Sequence, residues 1–358
     1  MELTEEYFNR LKERKNNAIK NTLFMYVLWQ ERKEIEKNTA DAILSRAERM
    51  ENCLSYWKWD VYKKNKIANL KVVSRCKDIF CPNCRKVAIS KAIANFTPHF
   101  NNMLIYGYRP YFMTLTVPNI KREYLSKEIN NMNKAFSKLW RWLYRPFTKN
   151  GSNHGGYKDR LFDGKGAVKV LELTVQRSDD SFFNLHFHVI IFIDKYSEND
   201  FRKYIPGGYH YKSSSFIYYS DADIFLQKLW KMAYDCRIIS EFGDASDDTK
   251  DNYVCDIREL NMPKGIFEVF KYCFKDMDIK NLGISKDLYY GLKRKRLRQG
   301  YGMLYNVKVD DSDSDDCIEN YLEFKDEEPE NFIHQFIEDM TEKYRDYRKV
   351  LIYKRKKI

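Results

Sequence analysis

The sequence is short of the features that mark membrane and secreted proteins. No apolar segment approaches the ~20 residues that span a bilayer. The best candidate, Leu23 to Trp29, is brief and flanked by lysine, glutamate and arginine. The first residues, Met1-Glu2-Leu3-Thr4-Glu5-Glu6, are acidic and lack the basic stretch of a secretion signal. Acidic residues are outnumbered overall, 51 Asp+Glu against 63 Lys+Arg, for a net charge of +12. Histidine is scarce, with six in 358 residues. These shortages predict a cytoplasmic, non-membrane protein whose positive field favours polyanions such as nucleic acid. Eight cysteines without a secretion signal predict reduced thiols, and clustered ones hold metal more often than they form disulfides. What is present is the composition of a folded protein, 44% hydrophobic and 16% aromatic, with room for a core domain and appendages.

Two of the six histidines fall one residue apart in Asn184-Leu185-His186-Phe187-His188-Val189-Ile190-Ile191-Phe192-Ile193-Asp194. In a strand successive side chains alternate faces. His186, His188 and Ile190 therefore share one face, and Leu185, Phe187 and Val189 share the other, which reads as core. Two imidazoles side by side at the end of a buried strand suit metal ligation; the plainer reading is a hydrogen-bonded pair at a sheet rim.

Upstream, Ala167 to Gln176 reads as a strand with Glu172 between Leu171 and Leu173, followed by a turn at Arg177-Ser178-Asp179-Asp180-Ser181. A turn centred near Asp179 puts Glu172 opposite His186; a slip of one residue would send it to the other face. Two imidazoles and a carboxylate form a mixed donor set suited to Mn²⁺ or Mg²⁺, with Zn²⁺ or Fe²⁺ also compatible. Such an ion could hold and polarise a phosphate oxygen. A cupin oxygenase also uses His-x-His but needs a glutamate a few residues on, where Phe192 and Ile193 stand.

Cys81-Pro82-Asn83-Cys84 is a knuckle that lets two thiolates reach one tetrahedral ion, with Cys76 just upstream and Cys53 able to close a four-thiolate site. The expectation is structural Zn²⁺, against a redox pair, which no βαβ pattern supports, and against free buried thiols.

Elsewhere, residues 1–50 read as charged helices with two apolar stripes, Leu11, Ile19, Leu23, Phe24 and Val27, then Ile43, Leu44, Ala47 and Met50. Tyr111 to Val117 reads as a strand in which Thr114 and Thr116 share a face. Leu125, Ile129, Met132, Phe136, Leu139, Trp140 and Leu143 recur at helical spacing. Residues 145–165 read as a loop, Phe225 to Ala233 as a helix and Val254 to Glu259 as a strand. From Pro263 a helix is expected on which Glu268, Tyr272 and Lys275 form one polar stripe. A tyrosine between a cation and a carboxylate can serve as nucleophile, although its ordinary pKa near ~10 requires help. By itself the stripe is also that of an ordinary amphipathic helix.

Taken in order, Thr114-Leu115-Thr116, Glu172 before His186-Phe187-His188, and Glu268-Val269-Phe270-Lys271-Tyr272-Cys273-Phe274-Lys275 resemble the motifs of HUH endonucleases. More narrowly, the chain resembles rolling-circle replication initiators of small bacterial plasmids, in the branch with one catalytic tyrosine and a glutamate one turn before it. The resemblance runs from about Cys53 to Gly302 and includes the cysteine knuckle and the closing segment Gly291 to Gly300. It departs at Leu185, where that branch often has proline.

The resemblance implies an α+β fold with a central, mainly antiparallel sheet, flanking helices and a small zinc-knuckle module. It implies that Tyr272 attacks a phosphate of single-stranded or hairpin origin DNA, forming a 5′-phosphotyrosine and a 3′-OH primer. His186, His188 and Glu172 would hold Mn²⁺ or Mg²⁺, Lys275 would assist near the reacting oxygens, and Glu268 would activate the water that ends the round. Lys271, Lys293, Arg294, Arg296 and Arg298 would contact DNA, and host helicase and polymerase would be partners; the oligomeric state stays open. The domain division expected is a helical region over 1–50, a zinc module over 51–100, a nicking domain over 105–305, and an acidic linker with a C-terminal helix and basic end over 306–358. That final helix is read from Phe332, Phe336, Ile337 and Met340, and the basic end at Lys354 to Lys357 as a solvated run or a phosphate-contacting arm. An HUH transposase and a non-catalytic zinc-containing nucleic-acid-binding protein are the competing functions.

Overall fold

The computed structural model describes residues 21–33, 35–62, 64, 67–145, 161–176, 181–194, 204–210, 216–235, 254–260, 282–307 and 330–335. The chain divides into two units, one of residues 1–88 with 310–358 and one of residues 89–309.

The second unit is built on a six-stranded sheet. Its strands are β3 (Arg109–Thr116), β4 (Ile120–Lys121), β5 (Asp163–Val175), β6 (Phe182–Asp194), β9 (Cys255–Glu259) and β10 (Arg298–Gly302). The order is β10-β5-β6-β3-β9, with β4 pairing the start of β6, and every pairing is antiparallel. A separate hairpin joins β7 (Tyr204–His210) to β8 (Phe216–Ser220). The fold is thus mixed α+β around a mainly antiparallel sheet, the class expected.

Both faces of the sheet are covered over part of their length, which is why β6 reads as a nearly continuous apolar run. One face packs on helix α3 (Pro82–Ile105), whose residues Ala92, Phe96, Phe100 and Met103 join Phe112, Val168, Val170, Ile190 and Phe192 in one core cluster. Burying each such ring or branched side chain contributes roughly 1.5–3 kcal/mol. The other face carries Leu171, Phe187 and Leu115. It packs beneath α4 (Leu125–Tyr144) and α5 (Asp221–Tyr234), with Phe136 edge-on to Phe187 at 5.8 Å and Trp230 at 6.2 Å. All seven apolar residues that predict α4 are buried in it. A last helix, α6 (Leu282–Leu292), packs on α4.

The closing segment ends in a tight Gly-Tyr-Gly approach. Gly302 is left-handed at φ 58°, and a Cβ there would stand 2.3 Å from the Lys165 carbonyl oxygen. A Cβ on Gly300 would meet the Leu304 carbonyl at 2.0 Å, so only glycine fits either position.

The first unit contains α1 (residues 21–32) and α2 (Lys37–Glu51), which bury Phe24, Met25 and Leu28, and Ile43, Ala47 and Met50. Its sheet has three strands in the order β11-β1-β2, from β1 (Tyr56–Tyr62), β2 (Ile67–Val73) and β11 (Glu330–Gln335). Phe332 therefore lies in a strand and not in the helix its spacing predicts. Ladder pairing with β1, Trp59 opposite Phe332, outweighs a weak local preference. Phe336, Ile337, Met340 and the basic end lie outside the described residues, as does the acidic linker.

Candidate active site and cysteine centre

The antiparallel register decides which polar groups meet. Glu172 pairs with His186 across β5 and β6, as the turn spacing predicts, and Thr116 pairs with His186 from β3. The next row on the same face is Val170, His188 and Thr114. Both imidazoles are held by the threonines of the neighbouring strand: Nδ1 of His186 is 3.1 Å from the Thr116 hydroxyl, and Nδ1 of His188 is 3.3 Å from that of Thr114. This leaves each Nε2 for another partner. For His188 that partner is the Glu172 carboxylate, with Nε2 2.5 Å from Oε2 and both groups at most 5% exposed. The His188 ring lies flat on Phe112, 5.5 Å between centroids and 6° between planes, so core packing fixes its tilt.

Three side chains of α5, whose bonding the sequence does not show, anchor the strands behind this face. The Trp230 indole N–H donates to the Thr116 carbonyl at 2.8 Å, and the Gln227 amide donates to that of Cys255 at 3.2 Å. Asp223 accepts from the Ile257 amide at 2.7 Å.

The cysteines meet in the first unit. Among the described residues, Cys53, Cys76, Cys81 and Cys84 are the group of possible metal ligands whose donor atoms all lie within 4.8 Å of one another. His186 shares a face with His188 and Glu172 without completing a group of that tightness. The sulfurs of Cys53 and Cys81, and of Cys53 and Cys84, are 3.6 Å apart, and those of Cys76 and Cys84 are 3.5 Å apart. Thiolates bound tetrahedrally at ~2.3 Å would stand ~3.8 Å from one another, so the cradle fits such an ion with little movement. Hydrogen bonds from Cys53, then Cys76, hold the Cys81 and Cys84 thiols below the usual range, and the Lys77 amide adds a bond to Cys84 at 3.3 Å. The loop is shaped by buried Asp78, which accepts from the Phe80 amide and takes both arms of the Arg46 guanidinium at 2.7 and 2.9 Å. The same guanidinium lies over the Phe80 ring.

A sequence model of the replication protein family matches residues 67–348. The chain belongs to that family. No curated protein and no solved structure matches it. The family match takes in the whole six-stranded sheet, the histidine site and three of the four cysteines, and begins after Cys53. No helix among the described residues is long and apolar enough to cross a membrane.

Of the remaining residues expected to act in this replication protein, Glu268, Lys271, Tyr272 and Lys275 lie outside the described residues. Lys293 and Arg294 are exposed just after α6, with Arg294 in the left-handed region at φ 59°. Arg296 and Arg298 flank Leu297, whose carbonyl accepts from the Leu171 amide at 2.8 Å, so they border the strand that carries Glu172.

Proposed function

We propose that this replication protein initiates rolling-circle replication by nicking one strand of its origin. The reading rests on one observation: the register that sets Glu172, His186 and His188 on one sheet face, with threonine hydroxyls behind the imidazoles. That donor set fits a divalent cation such as Mn²⁺ or Mg²⁺, because each Nδ1 already meets a threonine hydroxyl and Nε2 of His188 meets the carboxylate. When bound, the ion would supply Lewis-acid stabilisation of charge on the scissile phosphate. The phenol oxygen of Tyr272 attacks phosphorus, the bond to the 3′ oxygen breaks, and the departing oxygen takes up a proton to become the primer 3′-OH. Lys275 stabilises charge near the attacking or leaving oxygen. With the only nucleophile esterified, Glu268 directs a water at the same phosphate to end the round. The substrate is single-stranded or hairpin origin DNA, extended by a host helicase and polymerase.

The test is incubation with origin-type single-stranded oligonucleotides and Mn²⁺, followed by a denaturing gel. Wild-type protein should give an EDTA-sensitive nick and a covalently shifted band. Combined His186→Ala and His188→Ala should remove both and weaken Mn²⁺ binding by calorimetry; unchanged Mn²⁺ affinity would make the imidazoles structural.

In the first unit we assign Zn²⁺ to Cys53, Cys76, Cys81 and Cys84. About one zinc per chain is expected by elemental analysis, and Cys84→Ser should lose it together with several degrees of Tm. Metal-free protein of unchanged Tm would rule the assignment out.

A further inference from the structure

The sheet face that carries the histidines has an arginine on each of its two outermost strands. Val170, His188, Thr114 and Asp256 follow one another across β5, β6, β3 and β9, with Arg298 of β10 at the near end of the same row. One row along, Val168, Ile190, Phe112 and Arg258 follow in the same way. Side chains two residues apart in a strand share a face, so Arg258 and Arg298 both rise on the side of His188.

Both guanidiniums lie over rings of the core cluster. That of Arg258 is 5.0 Å from the centroid of Phe112, and that of Arg298 is 6.0 Å from Phe96. Phe112 in turn stacks on His188, so Arg258, Phe112 and His188 form a continuous pile. A guanidinium stacked on an aromatic face keeps its N–H edge pointing outward, and that edge matches phosphate oxygens. Arg258 is exposed, on a strand whose inward residues Cys255 and Ile257 are buried. Its neighbour Asp256 is held above the usual carboxylate range, by burial first and by Asp223 second, while Arg258 pulls it back down.

We infer that Arg258, which no motif marks, binds a phosphate of the DNA strand at the β9 edge of the face that carries the histidines, with Arg298 at the β10 edge. The inference rests on the nicking reading and refines it by naming a residue that holds the substrate.

The experiment measures affinity for a single-stranded origin oligonucleotide by fluorescence anisotropy over a salt series, with the denaturing gel run in parallel. Removing one phosphate contact on a single strand should lower the slope of log K against log salt by ~0.7. Arg258→Gln should show that drop, Arg258→Lys should restore most of the slope, and Arg258→Gln with Arg298→Gln should lose about twice as much. Arg109→Gln removes the same charge from the other face of β3, and its slope should match wild type. Should Arg258→Gln fold poorly, single methylphosphonate linkages scanned along the oligonucleotide give a second reading. Wild type should weaken at one linkage to which Arg258→Lys is less sensitive. An unchanged slope in Arg258→Gln, or a drop that Arg258→Lys fails to restore, overturns the phosphate contact while a wild-type adduct leaves the nicking reading standing. Binding with the expected slopes but no adduct supports the contact and overturns the nicking reading.

Discussion

Tyr272→Phe should abolish strand cleavage and the covalent protein–DNA adduct while DNA affinity stays nearly intact. Phenylalanine keeps the ring and removes only the phenol oxygen, which the proposed mechanism joins to phosphorus. Loss of a nucleophile from a hydrolase costs on the order of 10⁶ in rate, so residual nicking should fall below detection. Glu268→Ala should behave in the opposite way. It should keep the first nick and the adduct but slow terminating hydrolysis by about 10²–10⁴, the usual weight of a positioned general base. A helix-surface ion pair from Glu268 to Lys271 or Lys275 would be worth only ~0.3–0.5 kcal/mol and would leave both steps equal. Peptide mapping of the adduct decides the nucleophile. An adduct that survives in Tyr272→Phe, or that maps to the adjoining Tyr289 or Tyr290 of α6, would sink the assignment; Tyr289 is buried there against Tyr290 at 5.2 Å.

The second large effect concerns a lysine in the core. Lys169 is 1% exposed on the α4 side of β5, and its ammonium lies 4.3, 5.0 and 5.5 Å from the ring centroids of Phe187, Phe136 and Tyr301. It donates to the Asn133 side chain, and no carboxylate among the described residues pairs with it. Burial lowers its pKa to about 7. An unfolded lysine titrates near ~10.4, so between pH ~7 and ~10 the unfolded chain binds the extra proton. Stability from this group therefore rises with pH across that window, and the penalty is fully present at and below pH 7. The shift corresponds to on the order of 4 kcal/mol, partly offset by ring contacts worth ~0.5–2 kcal/mol each. Lys169→Met, which fills the same volume without the charge, should stabilise the protein at pH 7 by about 1–3 kcal/mol. It should also flatten the pH dependence, because the titratable neighbour Tyr301 is pushed up to about 12 by burial and stays neutral. Thermal melts of both proteins from pH 6 to 10 would show it. Parallel curves would mean that Lys169 keeps its ordinary proton affinity.

These two residues also mark what could be read from the sequence. α4 was legible because its one contact surface leaves a period in the residue order, and β6 because a strand covered on both faces reads as a long apolar, β-branched run. Glu172 was legible because a short turn fixes which residues face each other across a hairpin. Lys169 was not, since a lysine between two valines reads as the solvent side of a strand. The rings that enclose it come from α4, β6 and β10 and converge only on folding. The anchoring roles of Asp223, Gln227 and Trp230 were illegible for a related reason, although Trp230 reads as an apolar helix position: their bonds go to backbone groups, which no side-chain pattern announces. The four cysteines were legible as a group, including distant Cys53, because few other residue types could serve that chemistry. Phe332 was misread because a helical spacing says nothing about a pairing partner far up the chain.

That pairing has a consequence for how the protein is made. β1 begins at Tyr56, and the strand that completes its outer edge ends at Gln335, so the first unit is closed by nearly the last described residues. A ribosome adding ~5–20 residues per second delivers β11 tens of seconds after β1 has emerged. By the last seconds of that interval every strand of the sheet in residues 89–309 has been synthesised, so that unit can fold. Unit one, by contrast, waits with one row of backbone donors and acceptors open to whatever strand arrives first. A message cut short between Gly302 and Glu330 would therefore yield a chain with its large sheet intact and a permanently sticky edge near its beginning.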